Sequence, residues 1–411
     1  MSLPAFIARR IAFNRERTFS RFIIRIAVAA TALSVAVMIL ATALVNGFRE
    51  VVSQKIFSFW GHIHITEFQP NAGPLTEELP FLANDTLENA IHALPGVQSL
   101  DIYATKPAIL QAADASEGVI FKGVDRRYHW KYLQQYLIRG RLPQFPDSGY
   151  SQEIVISEYL ARKLRLRVNG RPLVFFIQKA GEMPRARRLT VTGIYKTSIE
   201  EYDKTYIIGD IDLIRRLNDW QPNQVGGYEI MLNDYHRMDT VSNLIYDHIL
   251  PDKLTSLTIR QLYPNIFDWL GLQDMNEVII IVIMTIVAII NMITAILILI
   301  LERTNMVGVL KALGMRTASL QKIFLFQSAY ILSVGLLIGN IAGLGLAILE
   351  KQTGFFKLPE ETYYMPVAPI LIKPWQVILI DAGTLLICVL VLVIPSLLIR
   401  KVQPVKAITF K

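Results

Sequence analysis

A single cysteine, Cys388, is all the sequence contains, and it lies in an apolar run. No disulfide can therefore form within the chain, which rules out a small secreted scaffold held by cross-links. No Cys/His cluster has the spacing of a zinc site. The pair His62 and His64 is better explained by an alternating strand, His-Ile-His-Ile, than by a metal. No G-x-x-x-x-G-K-[ST] run occurs, so the chain has no nucleotide-binding loop of its own. No Ser/His/Asp or paired-carboxylate pattern stands out as an enzyme signature. Charge is also scarce, at 18% of residues, and that argues against an ordinary soluble protein of this length.

What is present is apolar: 52% of residues are hydrophobic. Four windows reach the roughly 20 residues that cross a bilayer. They are Ile23–Val45, Val278–Leu301, Ile323–Leu349 and Trp375–Ile399, and only Arg25 and Asp381 are charged inside them. Arg25 is near enough to one end to snorkel, and Asp381 is placed to reach a headgroup region or a neighbouring helix. The first window is longer than the apolar region of a signal peptide, about 7–15 residues, and is expected to be a retained anchor. Gly335, Gly339 and Gly343 recur every four residues in the third window, and Ala29, Ala32 and Ala36 lie in the first. Small residues at that spacing let membrane helices pack closely, inside one bundle or across a dimer seam.

Charge sets the orientation. Residues 1–21 hold five basic residues and one acid, 302–322 hold four and one, and 400–411 hold four and none. The long segment 46–277 has 25 basic and 28 acidic residues. If four helices cross, the three basic segments share one side, and the positive-inside rule makes that side cytoplasmic. Both termini are then cytoplasmic and the large insert lies outside. The basic excess is juxtamembrane, so it points to lipid headgroups and not to nucleic acid. Residues 3–20, with Leu3, Phe6, Ile7 and Ile11 at helical spacing, read as a helix lying on the membrane surface.

The insert has the texture of a mixed α/β domain. Strands are expected at His62–Phe68, Gln98–Gln111, Gly118–Gly123, Arg171–Gln178, Arg188–Tyr195, Tyr228–Leu232 and Ser256–Arg260. Helices are expected at Thr86–Leu94, after Ser157, and at Thr240–Ile249. The polar stretch 179–187, KAGEMPRAR, reads as a hairpin loop, with Lys179, Glu182, Pro184 and Arg185 as candidates to meet a partner. Pro264–Leu272 (PNIFDWLGL) reads as an amphipathic interfacial segment before the second window.

The second window ends in Leu301-Glu302-Arg303-Thr304-Asn305-Met306-Val307-Gly308-Val309-Leu310-Lys311-Ala312-Leu313-Gly314. This resembles the E-R-x-x-x-I/V-G-I/V-L-[KR]-A-L-G signature of FtsX-like ABC permeases, without a gap. Asn46-Gly47-Phe48, His62–Ile65, Gly193–Asp203, Gly227–Asp234, Tyr263–Leu270 and the tail from Pro395 through Arg400, Lys401, Pro404 and Ala407 follow the order of Lol-type lipoprotein-releasing permeases. The resemblance spans nearly the whole chain. It departs at 179–187, which is short for a member that docks a periplasmic lipoprotein carrier.

The resemblance implies an α-helical membrane protein with four transmembrane helices and a large mixed α/β periplasmic domain between the first two. The division is then 1–21 an amphipathic N-terminal segment, 22–48 the first helix, 49–277 the periplasmic domain and 278–301 the second helix. It continues with 302–322 as the coupling segment, 323–349 as the third helix, 350–374 as a periplasmic loop, 375–399 as the fourth helix and 400–411 as the tail. The location implied is the bacterial inner membrane. The implied function is the permease subunit of an ABC transporter that extracts acylated lipoproteins toward the outer membrane. Alternatives are a MacB-like efflux permease and a regulatory FtsX-like permease acting on a periplasmic partner. The chain is not expected to be an enzyme or to bind a cofactor; ATP and Mg belong to a partner ATPase dimer. A second permease subunit, identical or related, the lipoprotein substrate, membrane lipids and a periplasmic carrier complete the implied partners.

Glu302, Arg303, Val307, Gly308, Leu310, Lys311, Leu313 and Gly314 are the candidate coupling residues, with Val307, Leu310 and Leu313 expected on one side of a short helix. A multiply acylated anchor is held by ~0.8 kcal/mol per buried methylene, so its release needs an apolar path. Facing first and second helices of two subunits would make one, with Met38, Leu44, Phe48, Ile281 and Met284 as candidate lining.

Overall fold

The computed structural model describes residues 19–70, 77–112, 115–147, 149–178 and 181–401. The surface helix expected over 3–20, apart from its last two residues, lies outside these, as do Lys179 and the tail from 402.

In chain order, a helix α1 spans Phe19–Trp60 and leads into strand β1, Ile63–Glu67. Then come β2 (Phe81–Leu82), α2 (Asp85–His92), β3 (Val97–Ala112), β4 (Ala115–Val124), β5 (Leu137–Gly140) and β6 (Glu153–Ser157). Helix α3 (Glu158–Lys163) precedes β7 (Leu173–Phe176), β8 (Arg185–Arg188) and β9 (Thr190–Tyr195). Helix α4 (Glu200–Thr205), β10 (Tyr206–Asp210), α5 (Ile211–Leu217), β11 (Gln224–Val225), β12 (Gly227–Leu232), α6 (Met238–His248) and β13 (Leu254–Thr258) follow. The chain continues through α7 (Pro264–Glu302), α8 (Thr304–Ala312), α9 (Thr317–Thr353) and α10 (Pro374–Ser396).

These elements form two compact units. Among the described residues, one holds 19–50, Trp269–Lys357 and 367–401, and the other holds the described part of Val51–Asp268 with Leu358–Pro366.

The first unit is a bundle of long helices. Among the described residues, the four helices α1, α7, α9 and α10 are long and apolar enough to cross a membrane. Their core is continuous and includes Met38, Ile39, Met292, Ile296, Leu332, Cys388 and Leu392. The glycine stripe has a plain packing role here. A Cβ on Gly335 would lie 2.9 Å from Thr31 Cβ, one on Gly339 2.8 Å from the Ala32 carbonyl oxygen, and one on Gly343 3.0 Å from Ala36 Cα. The stripe therefore seats α9 against α1 within one subunit. Ala32 and Ala36 face it, whereas Ala29 is exposed. Asn340 donates to both carboxylate oxygens of Asp381, at 2.9 and 2.8 Å, which gives that intrahelical acid a polar partner on the neighbouring helix.

Two boundaries differ from expectation. Helix α1 does not stop near Phe48 but runs to Trp60. Val52, Ile56, Phe57, Phe59 and Trp60 extend its buried stripe, and the polar residues Arg49 and Glu50 do not break a helix. Arg49 pairs with Asp274 of α7. The helix ends only where Gly61 takes a left-handed φ of +66°. Helix α7 likewise begins at Pro264, which is suited to a first helical position. The separate interfacial segment expected at 264–272 is the start of this helix.

The second unit is built on an eleven-stranded mixed sheet in the order β13-β1-β12-β3-β4-β10-β6-β9-β5, with β7 on β3 and β8 on β7. The pairs β4–β10 and β6–β9 are parallel and the others antiparallel. Ser157 caps α3 as expected, its hydroxyl accepting from the Leu160 amide at 3.1 Å. The hairpin is tighter than its sequence suggests. Arg185 to Arg188 form β8, with Phe175 opposite Ala186, and β9 is a separate strand. The hairpin loop therefore ends before Arg185.

Candidate functional site

The permease-like segment Glu302–Gly314 forms the end of α7 and all of α8. The Thr304 hydroxyl donates to the carbonyls of Leu301 (2.6 Å) and Ile300 (3.1 Å), and Arg303 separates the two helices. Val307 is fully buried in the bundle core with Leu320, Phe324 and Ile399; Gly308 is buried, and Leu310 packs half-exposed against the same core. The Lys311 ammonium donates to the carbonyls of Ile399 (2.8 Å) and Arg400 (3.3 Å), tying α8 to the chain end beyond α10. Gly314 closes α8 at φ +89°, a conformation other residues adopt at a cost.

Sequence spacing put Val307, Leu310 and Leu313 on one outward side. The structure corrects this. Val307 faces inward, while Leu313 is 78% and Val309 47% exposed. They are four residues apart, so the free apolar face of α8 is Val309 with Leu313.

Met38 is 1% exposed, and Ile281 and Met284 pack against the same core. The Thr285 hydroxyl donates to the Ile281 carbonyl at 2.8 Å and lies 3.8 Å from Met38 Sδ. Three of the five cavity candidates thus meet where α1 and α7 pack. Leu44 is half-buried and Phe48 buried further along α1, with Phe48 edge-on to Trp269 at 6.4 Å. The Asn46-Gly47 pair gains a role here. The Asn46 amide donates to Gln376 Oε1 at 2.5 Å, and a Cβ on Gly47 would lie 2.2 Å from the Pro369 carbonyl oxygen.

In the hairpin, Glu182, Met183 and Pro184 are exposed. Arg185 is held, donating to the Leu217 carbonyl at 2.8 Å and pairing with Asp219 at 3.4 Å.

The most constrained polar cluster was not anticipated. It surrounds the last turn of α1 inside the α/β unit. Lys122 of β4 is fully buried; its ammonium donates to the Phe59 carbonyl at 2.6 Å and pairs with Glu229 of β12 at 2.7 Å. It also sits 4.1 Å from the Trp60 ring centroid and 5.0 Å from that of Phe59. The His64 ring is 2.6 Å, through Nε2, from the Trp60 carbonyl, so Nε2–H donates there and Nδ1 accepts from the Tyr103 hydroxyl at 3.1 Å. Two carbonyls at the C-terminal end of α1 are thereby capped from the sheet. Burial drives the His64 pKa down to about 3, which keeps it neutral. Burial pushes Glu229 up to about 7 and Lys122 down, each opposed by the other's charge. His62 does different work: its Nδ1 accepts from the Leu232 amide at 2.8 Å, and burial lowers it to about 4. The one sign of this cluster in sequence is a lone lysine inside the apolar run Val119–Val124.

Set against known proteins, residues 26–246 match the MacB-like periplasmic core domain, and residues 278–404 match the FtsX-like permease C-terminal domain. The first match alone spans more than half the chain. The chain therefore belongs to the family of FtsX-like permeases that carry a MacB-like periplasmic core domain. It is similar along its whole length to the lipoprotein-releasing system transmembrane protein LolC of Neisseria meningitidis, at 23% identity with 100% of both chains covered. LolC of Haemophilus influenzae is 22% identical over 96% of this chain and 95% of that one, and LolE of the same organism 20% identical over 100% of both. The solved periplasmic region of MacB from Actinobacillus actinomycetemcomitans is 13% identical, with 50% of this chain and 92% of that one covered at a TM-score of 0.34; a score that low adds nothing to the assignment.

Proposed function

We propose that this chain is the permease subunit of an ATP-driven transporter that extracts acylated lipoproteins from the bacterial inner membrane for transfer toward the outer membrane. The observation that carries this reading is the end-to-end similarity to proteins named as lipoprotein-releasing transmembrane subunits.

In this reading α1, α7, α9 and α10 cross the membrane, both termini are cytoplasmic and the α/β unit is periplasmic. ATP and Mg are bound by a cytoplasmic ATPase dimer, since the chain has no phosphate-binding loop. Val309 and Leu313 are the apolar contacts that α8 offers to that partner. Lys311, Val307 and Gly308 hold α8 against the bundle, so force on its exposed face reaches the helices. A second permease subunit, identical or related, completes a lateral cavity. The acyl chains enter where α1 and α7 part, past Met38, Ile281 and Met284, and move toward Leu44 and Phe48. The exposed hairpin tip at Glu182 and Pro184 is the surface offered to a periplasmic carrier. No bond is made or broken in this chain; its work is to replace one apolar environment by another.

The test is depletion of the protein followed by separation of inner and outer membranes. Acylated lipoproteins should accumulate in the inner membrane. An unchanged distribution with raised drug sensitivity would move the assignment to efflux, and no change in either would move it to a regulatory permease.

A further inference from the structure

The α/β unit contains a cavity of about 750 Å³ beside the capped end of α1. That is within the size range of small-ligand and peptide-side-chain sites, about 300–1,000 Å³. Its chemistry is one-sided. Three carboxylates, Glu67, Glu78 and Glu201, line it, and no lysine or arginine does so among the described residues. His64 also lines it but is neutral, as its burial and its bonds to Trp60 and Tyr103 require. Lys122 lies behind Trp60, and its charge is used by Glu229 and the Phe59 carbonyl. Glu78 is fixed in place, one oxygen accepting from the Thr105 amide at 2.9 Å and hydroxyl at 2.6 Å. Trp60, Tyr103, Tyr206 and Tyr263 supply aromatic faces, and the rest of the lining is uncharged. Acids with aromatic faces and no counter-cation suit a positive group on an apolar stem.

Two further features narrow the ligand. Trp60 is 3% exposed, yet its indole N–H has no acceptor among the described residues. A ligand that fills the site should therefore bring a carbonyl as well as a cation. Thr255 and Leu257, which also line the cavity, belong to β13, the end strand of the sheet. An end strand offers backbone groups to an extended segment. A phospholipid headgroup fits poorly, because its phosphate would meet three carboxylates and no lysine or arginine in the lining.

We infer that this cavity is a binding site for an extended polypeptide segment carrying a lysine or arginine side chain. The cationic head sits among Glu67, Glu78 and Glu201, its methylene stem lies on the tyrosine rings, and the segment's backbone runs beside β13. The inference does not depend on the lipoprotein-release reading, which is tested separately by membrane fractionation.

The experiment is calorimetric titration of the full chain in lipid nanodiscs with three probes: the capped tetrapeptide Val-Lys-Val-Thr, the same peptide with norleucine in place of lysine, and n-butylammonium chloride. The lysine peptide should bind saturably, and the norleucine peptide at least tenfold more weakly. Glu67→Gln with Glu201→Gln, both outside the sheet's core, should weaken the lysine peptide at least tenfold. Leu257→Arg, which places a fixed cation against the site, should abolish its binding. Equal affinity for the norleucine peptide would overturn the role of the carboxylates. Equal affinity for n-butylammonium would overturn the polypeptide and leave a small-amine site, and no saturable binding of any probe would overturn the site itself.

Discussion

Replacing Lys122 by Met removes a fully buried cation from the sheet of the α/β unit while keeping most of its volume. Three interactions go at once: the 2.7 Å pair with Glu229, the 2.6 Å bond to the Phe59 carbonyl and the contact over the Trp60 ring. Removing one partner of a buried pair costs about 3–5 kcal/mol, because the other charge stays behind without compensation. At ~1.4 kcal/mol per tenfold, amides of β4 and β12 that exchange only on unfolding of this unit should exchange about a hundredfold to a few thousandfold faster. Glu229 sets a pH signature on that loss. Its folded pKa, about 7 in the wild type, lies above its ordinary value of 4.5, and losing Lys122 moves it further up. The folded variant then holds a proton over a range where the unfolded chain has released it. Acidification from pH 8 toward pH 5 must therefore recover part of the stability of Lys122→Met relative to wild type. The double variant Lys122→Met/Glu229→Gln should recover part of it at every pH. Hydrogen exchange with mass spectrometry on the purified full chain reads all three. A single variant within threefold of wild type, or one whose deficit ignores pH, would refute the claim that this pair anchors the unit.

Gly339→Ala should cost about 1–3 kcal/mol by overpacking, since its Cβ meets the Ala32 carbonyl at 2.8 Å, whereas Gly345→Ala, with nothing within 4 Å, should be neutral or stabilising; melting in detergent compares them. His62 and His64 titrate near 4 and 3 when folded but near 6.5 unfolded, so the stability they contribute is complete above pH 6.5 and is lost as pH falls toward their folded values. Glu229 acts in the opposite direction over part of that range, so the measurement is a difference: His64→Gln should flatten the fall in exchange protection between pH 6.5 and 4, and an unchanged slope would count against a neutral His64. Leu313→Asp, on a residue 78% exposed, should leave melting within about 0.5 kcal/mol of wild type yet uncouple ATP hydrolysis from lipoprotein release in the assembled transporter. Gly308 is a poorer probe of coupling because it is buried, so a bulky replacement there disturbs packing as well.

The four apolar helices were readable because the bilayer asks for one simple thing, a long run without charge. Their ends were less so. The first window closes at Val45, with the helix set to end at 48, and the second opens at Val278, but a helix tolerates isolated polar residues, and only Gly61 and Pro264 mark the C-terminal limit of α1 and the N-terminal limit of α7. In the α/β unit, alternation found β1, β3, β4, β12 and β13 to within a few residues. It missed α4, β10 and α5, where Glu200 through Leu217 pass from helix to strand to helix with no proline and only Gly209, inside β10, to punctuate them. The motif Glu302–Gly314 was legible as a motif, but its outward face was not. Spacing gives the residues that share a side of a helix and leaves open which side the bundle covers. Lys122 stayed hidden for a deeper reason. Its partners lie on α1 and β12, and only the register of β3, β4 and β12 brings them together.

The glycine stripe on α9 limits how two such subunits can join. Close-approach grooves are what membrane helices most readily use to recognise one another, and this one is already filled by α1 of the same chain. Burial follows that allocation: 56% of the apolar window of α1 and 39% of that of α9 are covered, against 22% for both α7 and α10. The stickiest surface is thus withdrawn from exchange between copies. What α7 and α10 present instead is broad and mostly aliphatic, with Val282, Ile286, Ile290, Leu379, Leu386 and Leu390 exposed along them, a surface as compatible with lipid tails as with protein. In the release mechanism proposed above, a seam made there would be shallow and easily parted, as a wall that admits and expels a hydrocarbon chain requires.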